Sequence, residues 1–241
     1  MNIITCPTPA DAAVKAAQFV LERVVAKREC VLGLPTGGTP LGMYAELAKA
    51  VRGGRADFSR VTTFNLDEYC GLPAGDPQSY REFMRVNFYE PCKLASANAR
   101  IPDGNAADPA AEAPAYEAAI RAAGGIDLQV LGIGHNGHIG FNEPGTPADS
   151  RTHVVALTEQ TRQANARFFA SIDDVPTRAI TMGLQTILEA REILLLANGK
   201  DKAQIVAAAL RGPVCVENPA SFLQRHPRLT VIVDAAAAGL L

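Results

Sequence analysis

The five cysteines of this 241-residue chain never form a CxxC pair, and their odd number and wide scatter give neither a disulfide framework nor a structural zinc site. Reduced thiols in a cytoplasm fit that usage. Basic runs are missing too. With 23 Lys and Arg against 25 Asp and Glu, the net charge of -2 argues against a nucleic-acid surface, while two or three local cations remain enough to hold one phosphate. No uncharged apolar stretch reaches membrane-spanning length, and the opening MNIITCPTPADAA has neither the positive start nor the apolar core of a signal peptide. The expected location is therefore cytoplasmic. Internal repeats, low-complexity linkers and composition shifts are also lacking, so residues 1–241 are expected to form a single domain. At 48% hydrophobic and 20% charged, the chain can bury a large core and falls outside the disordered class.

What is present is an alternation of strand and helix signals. Ala13, Ala16, Ala17, Val20 and Val24 have helical spacing, so a helix over 10–25 opens the chain, with Pro9 and Asp11 at its start. An apolar strand over 30–34 stops at PTGGTP before a helix over 41–51. Further strands are predicted over 61–65, 128–133, 178–182, 192–197 and 229–233, and helices over 80–88, 110–123, 159–170 and 200–210. The end, DAAAAGLL, reads as a frayed helix. Such alternation implies an α/β fold, a parallel sheet with helices on both faces, and the near-continuous apolar runs LQVLGI, ILLLA and LTVIV suit strands buried on both sides. Ligands of these sheets bind beyond the strand C-terminal ends. Three loops fall there and should meet in space: PTGGTP, LDEYCGL and GHNGHIGFNEP.

Gly132, Gly134 and Gly137 spell G-x-G-x-x-G after a strand, with Glu159 near the distance of a ribose-binding acid. A dinucleotide site needs a helix to start inside those glycines, and HIGFNEPGTP cannot be a long regular helix. The glycines instead let a loop fold tightly and present reactive side chains. His135, Asn136, His138 and Glu143 crowd nine positions, and a His beside a carboxylate shuttles protons near neutral pH. A zinc site built from His135, His138 and Glu143 fits poorly, because the two histidines are three apart in a glycine-broken loop and no other Cys/His cluster completes the set. No metal is expected.

PTGGTP offers Thr36, Gly37, Gly38 and Thr39 between strand and helix, an arrangement suited to cradling one phosphate with N–H groups and hydroxyls. It is no Walker loop, since no Lys follows Gly38. A plain Gly-Pro turn with a Thr cap explains the same residues. Asp67 and Glu68 follow the strand over 61–65, where partial desolvation would raise a carboxylate's pKa enough for proton abstraction. An acidic pair at a strand end is more often a helix-capping or solvated-loop feature.

Taken together, GLPTGGTP (33–40), FNLDEYCGL (64–72), SY (79–80), GIGHNGHIGFNEPGT (132–146) and SRTHVVALTEQTRQANARFF (150–169) resemble the glucosamine-6-phosphate deaminase family along nearly the whole chain. The resemblance implies a Rossmann-like fold and conversion of glucosamine 6-phosphate and water to fructose 6-phosphate and ammonia, without a cofactor. By the family pattern His138 assists ring opening, Glu143 orients and tunes it, and Asp67 moves a proton between C2 and C1. Phosphate binding falls to the backbone and hydroxyls of Thr36–Thr39, to Arg167 and to Lys202; apart from the resemblance, Arg167 and Lys202 read as solvated helix cations.

Three departures stand out. Asn136 replaces an Asp that completes an acid-His-acid relay in some members, which leaves activity intact and points to a different pH profile. His153 and Val155 stand where activated members carry basic residues, so activation by N-acetylglucosamine 6-phosphate is expected to be weak or absent. The end soon after Val233 favours a monomer or small homo-oligomer over a hexamer. The implied partner is a small sugar phosphate, with no nucleic acid and no membrane. Two rivals share the fold: 6-phosphogluconolactonase, disfavoured by FNEP and FNLDEY, and a non-catalytic sugar-phosphate-sensing domain, which predicts a DNA-binding module ahead of an α/β pattern that here begins almost at Met1.

Overall fold

A strand, not a helix, opens the chain. In a computed structural model describing residues 1–73, 75–166 and 169–241, β1 (Asn2–Cys6) lies along the sheet edge and pairs with the last strand, β10 (Leu229–Asp234). An edge position leaves most of β1 solvent-exposed, which removes the apolar signature of the other strands. α1 (Pro9–Ala26) follows, held at its start by a capping box in which Thr8 Oγ1 accepts from Asp11 N–H and Asp11 Oδ2 accepts from Thr8 N–H.

The parallel sheet covered by helices that the alternation predicts is present. β2 (Val31–Leu34), β3 (Thr62–Asn65), β5 (Ala99–Arg100), β6 (Leu128–Leu131) and β9 (Glu192–Ala197) join β1 and β10 in a seven-stranded sheet of order β1-β10-β9-β6-β2-β3-β5, with every pairing parallel. Strand alternation sends side chains to two separate cores. Ile193, Leu195, Val231 and Val233 pack on one face with Tyr116 and Ile120 of α4 (Pro109–Ala122) and Val206 and Leu210 of α7 (Ala203–Arg211). Leu194, Leu196 and Ile232 pack on the other with Val20 of α1 and Met43 and Leu47 of α2 (Leu41–Arg52). Burial on both faces is why these strands read as unbroken apolar runs, each such side chain contributing about 1.5–3 kcal/mol.

The strand predicted over 178–182 exists, but it belongs elsewhere. β8 (Arg178–Thr181) is the centre of a second sheet, antiparallel to β4 (Asp67–Tyr69) and β7 (His153–Ala156). LDEYCGL therefore starts as a strand rather than a loop. Only Leu66 separates β3 from β4: its N–H donates to Leu34 O in the large sheet and its carbonyl accepts from Met182 N–H beside the small one, so the chain changes sheets at that residue.

Other elements differ at their ends. α3 (Tyr80–Met84) continues as a π-helical turn over Arg85–Tyr89, and the helix predicted over 200–210 begins with a 3-10 turn, Lys200–Lys202. α5 (Glu159–Asn165) stops before residue 170. After β10 the chain forms turns tied to Asp234, whose Oδ1 accepts from Ala237 N–H, rather than a frayed helix. Among the described residues no helix is long and apolar enough to cross a membrane.

Candidate active site

From β2 the chain steps outward to β3 and β5, then returns to lay β6 on the other side of β2 and continues to β9 and β10. That reversal opens a crevice between the C-terminal ends of β2 and β6, the usual ligand position in open α/β sheets. A cavity of about 410 Å³ lies there, and the three predicted loops meet in it: residues 35–40, Leu66 with Asp67, and residues 132–135 with His138, Gly140 and Phe141 share its wall.

The loop after β6 builds one side. No helix starts within its glycines; Gly137 N–H donates to Gly134 O and Gly134 N–H to His138 O, closing a tight turn. The His138 imidazole packs on Gly134 so closely that a Cβ there would sit 2.2 Å from the ring. Buried Asn142 anchors the loop by donating Nδ2–H to Ile139 O and to Met182 O at the end of β8, both at 2.8 Å. Glu143 lies behind His138 with Oε2 3.6 Å from Nδ1, outside hydrogen-bond length. The same Oε2 accepts from Asn136 Nδ2 at 2.6 Å, while Asn136 Oδ1 accepts from His138 N–H at 3.2 Å. Asn136 thus clamps the carboxylate to the turn.

Thr161 on α5 donates to Glu143 Oε1 at 2.6 Å. Burial alone would raise the Glu143 pKa, but the His138 ring and the Thr161 and Asn136 donors outweigh it and bring the carboxyl down to about 2. It is ionised at any physiological pH.

Asp67 forms the opposite wall. It is buried in β4, in register with Thr181 of β8. Gly140, at φ +59°, brings the loop backbone close: a Cβ there would meet Thr181 Oγ1 at 2.9 Å and Asp67 Oδ2 at 3.5 Å. Burial, reinforced by the neighbouring Glu68 charge, pushes the Asp67 pKa up to about 8. The carboxyl is poised to take and return a proton near neutrality.

Thr36, Gly37, Gly38 and Thr39 line the mouth ahead of α2, whose cap, Pro40, makes no side-chain hydrogen bond. Lys202 reaches the same cavity, its ammonium donating to Ile133 O at 2.9 Å, and burial lowers its pKa. His135 and His138 do not converge, since His135 is exposed with Nε2 3.7 Å from Asp201. Arg167 lies outside the described residues. Sequence reasoning missed Thr161 and Asn165 and assigned no role to Tyr80 or Phe141, which line the cavity with their rings stacked 6.1 Å apart. Their only signal was membership of the longer motifs.

A basic buried carboxylate facing a His/Glu loop and a lysine, all at the switch point of a parallel sheet, defines an acid–base enzyme type acting on a small anionic ligand. Within that class, the chain belongs to the family of glucosamine-6-phosphate isomerases and 6-phosphogluconolactonases, which it matches over residues 7–232. It is 54% identical over 227 residues to the glucosamine-6-phosphate deaminase of Halothermothrix orenii, covering 94% of each chain. To that of Bacillus velezensis it is 51% identical over 239 residues, covering 99% of each. Among solved structures, a monomeric glucosamine-6-phosphate deaminase matches the whole of both chains with a TM-score of 0.97 at 47% identity. The 6-phosphogluconolactonase of Trypanosoma brucei, 20% identical with a TM-score of 0.77 over 100% of this chain and 98% of its own, shares the fold.

Proposed function

We propose that this chain isomerises and deaminates glucosamine 6-phosphate, yielding fructose 6-phosphate and ammonia. The observation that carries the reading is Asp67, a buried carboxyl raised to about 8 on the wall of a cavity with His138 and Lys202. His138, backed by ionised Glu143, relays a proton between the ring oxygen and O1 as the pyranose opens. Asp67 then removes the C2 proton of the open aldose and returns it to C1. The resulting C2 imine adds water and expels ammonia, leaving the ketose. Asn136 serves by fixing Glu143 rather than by carrying a proton.

The phosphate is assigned to the Thr36–Thr39 backbone and hydroxyls and to Lys202, with Arg167 as a further cation on the strength of its motif; a planar guanidinium suits a phosphate and an ammonium supplies a point charge. The 241 residues work as one domain, a cytoplasmic monomer or small homo-oligomer, in keeping with the monomeric relative. Weak or absent activation by N-acetylglucosamine 6-phosphate follows from β7, where the His153 ring engages Arg151 O and Val155 carries no charge. The test is release of ammonia and fructose 6-phosphate from glucosamine 6-phosphate, beside hydrolysis of 6-phosphogluconolactone. Turnover of the lactone alone overturns the reading.

A further inference from the structure

Glu68 is buried, acidic and adjacent to the proposed base, yet no step above uses it. Because strand side chains alternate, Asp67 faces the large cavity and Glu68 the other side of β4, where it lines a separate cavity of about 190 Å³ with Arg81 and Asp103. Both of its carboxylate oxygens are engaged. Oε1 accepts from Tyr69 N–H at 2.8 Å and Tyr80 N–H at 2.9 Å, and Oε2 accepts from Arg81 N–H at 2.8 Å. All three partners are donors, so the ionised form is the one they select.

One oxygen therefore ties together the backbones of two tyrosines whose rings touch. Tyr69 and Tyr80 lie 4.7 Å apart, their hydroxyls are 3.3 Å apart, and Tyr80 stacks on Phe141 of the His138 loop. Tyr80 itself lines the substrate cavity.

We propose that Glu68 is a positioning residue for the proton transfer at Asp67: ionised behind β4, it sets the Tyr80 wall through the backbone and presents a fixed negative charge beside the base. The inference rests on the reading of Asp67 as that base. The two carboxyls form an adjacent pair whose surroundings separate them, Glu68 holding donors and Asp67 having none among the described residues, so the proton resides on Asp67. Consistent with this, Glu68 is the charge that adds to burial in raising Asp67, whereas the backbone donors and Arg81 oppose the burial that raises Glu68. Other titratable groups of the described residues surround the pair. The phenols of Tyr69, Tyr80 and Tyr116 and the thiol of Cys70 are raised by burial and stay neutral, Arg81 and Asp103 face Glu68, and His135, His138 and Lys202 share the cavity with Asp67.

Two variants separate charge from reach. Glu68→Gln keeps an acceptor for Tyr69 and Tyr80 but removes the charge, so the acidic limb of the kcat/KM profile should move to lower pH by about one unit or more. Glu68→Asp keeps the charge but is too short to hold Tyr80 and Arg81, so the limb should stay while KM rises on the order of tenfold. An unmoved limb in the first variant, or an unchanged KM in the second, overturns the proposal. Should either variant fail to fold, carbon-13 titration of the wild-type carboxyls decides: Asp67 must hold the proton at neutral pH and Glu68 must not. Absence of ammonia release by the wild type instead sinks the underlying reading, and wild-type turnover with an unmoved limb sinks only the role of Glu68.

Discussion

Asp67 and Glu143 are carboxyls of one site, both largely withdrawn from water, and their surroundings drive them in opposite directions. Glu143 accepts from Asn136 and Thr161 beside the His138 ring and falls to about 2. Asp67 has burial and the Glu68 charge acting on it and rises to about 8. Donors added to a shallower position keep Glu143 ionised, while deeper burial beside a like charge favours the protonated form of Asp67.

The largest effect should come from erasing the rising member. Asp67→Asn should lower kcat by about 10³-fold or more while substrate still binds, because a positioned base contributes on that order. Loss of C2–H exchange with solvent is the measurement, and unchanged exchange would remove Asp67 from the proton-transfer role. Next is the geometry of the opposite wall. Gly134→Ala sets a methyl 2.2 Å from the His138 ring and should cost about 100-fold in kcat/KM without unfolding the protein.

Stability sharpens the contrast by its sign. The folded value of Asp67, about 8, exceeds its unfolded value of about 4, so its ionisation removes stability as pH rises from about 4 to about 8. Asp67→Asn should therefore raise Tm, most at pH 8 and hardly at all near pH 4. Glu143 has a depressed folded value, so its contribution is present above its unfolded pKa, about 4.3, and is lost as pH falls through about 2. Glu143→Gln should lower stability at pH 7 by on the order of 2 kcal/mol, with the gap closing below about pH 4. Melting curves at pH 4 and pH 8 test both; changes of the same sign at pH 8 would break the comparison. The smallest effect belongs to Thr161→Val, which removes one of the donors to Glu143 and should reduce kcat/KM about fivefold.

These two residues also show how far the chain could be read in advance. Asp67 was visible as a carboxylate after a strand, but the same pattern suits a capping residue, and nothing local reveals that β8 pairs along β4 and buries it. Glu143 and His138 stood out within one short loop, whereas Thr161 comes from a helix eighteen residues further on and carries no signal of its own. A strand over 178–182 was legible as part of the strand–helix alternation, yet its sheet and its direction were not.

Short-range properties were settled by the sequence itself: the alternation of strand and helix, the glycine-built turn at 132–137, and the crowding of His135, Asn136, His138 and Glu143 after β6. These depend on backbone periodicity and φ/ψ preference, which act over a few residues. Tertiary structure alone decided the second, antiparallel sheet, the hydrogen bond from Thr161, and the burial that raises the Asp67 pKa. Strand partnership and desolvation are set by residues far away in the chain, and a carboxylate's pKa follows them rather than its neighbours in sequence.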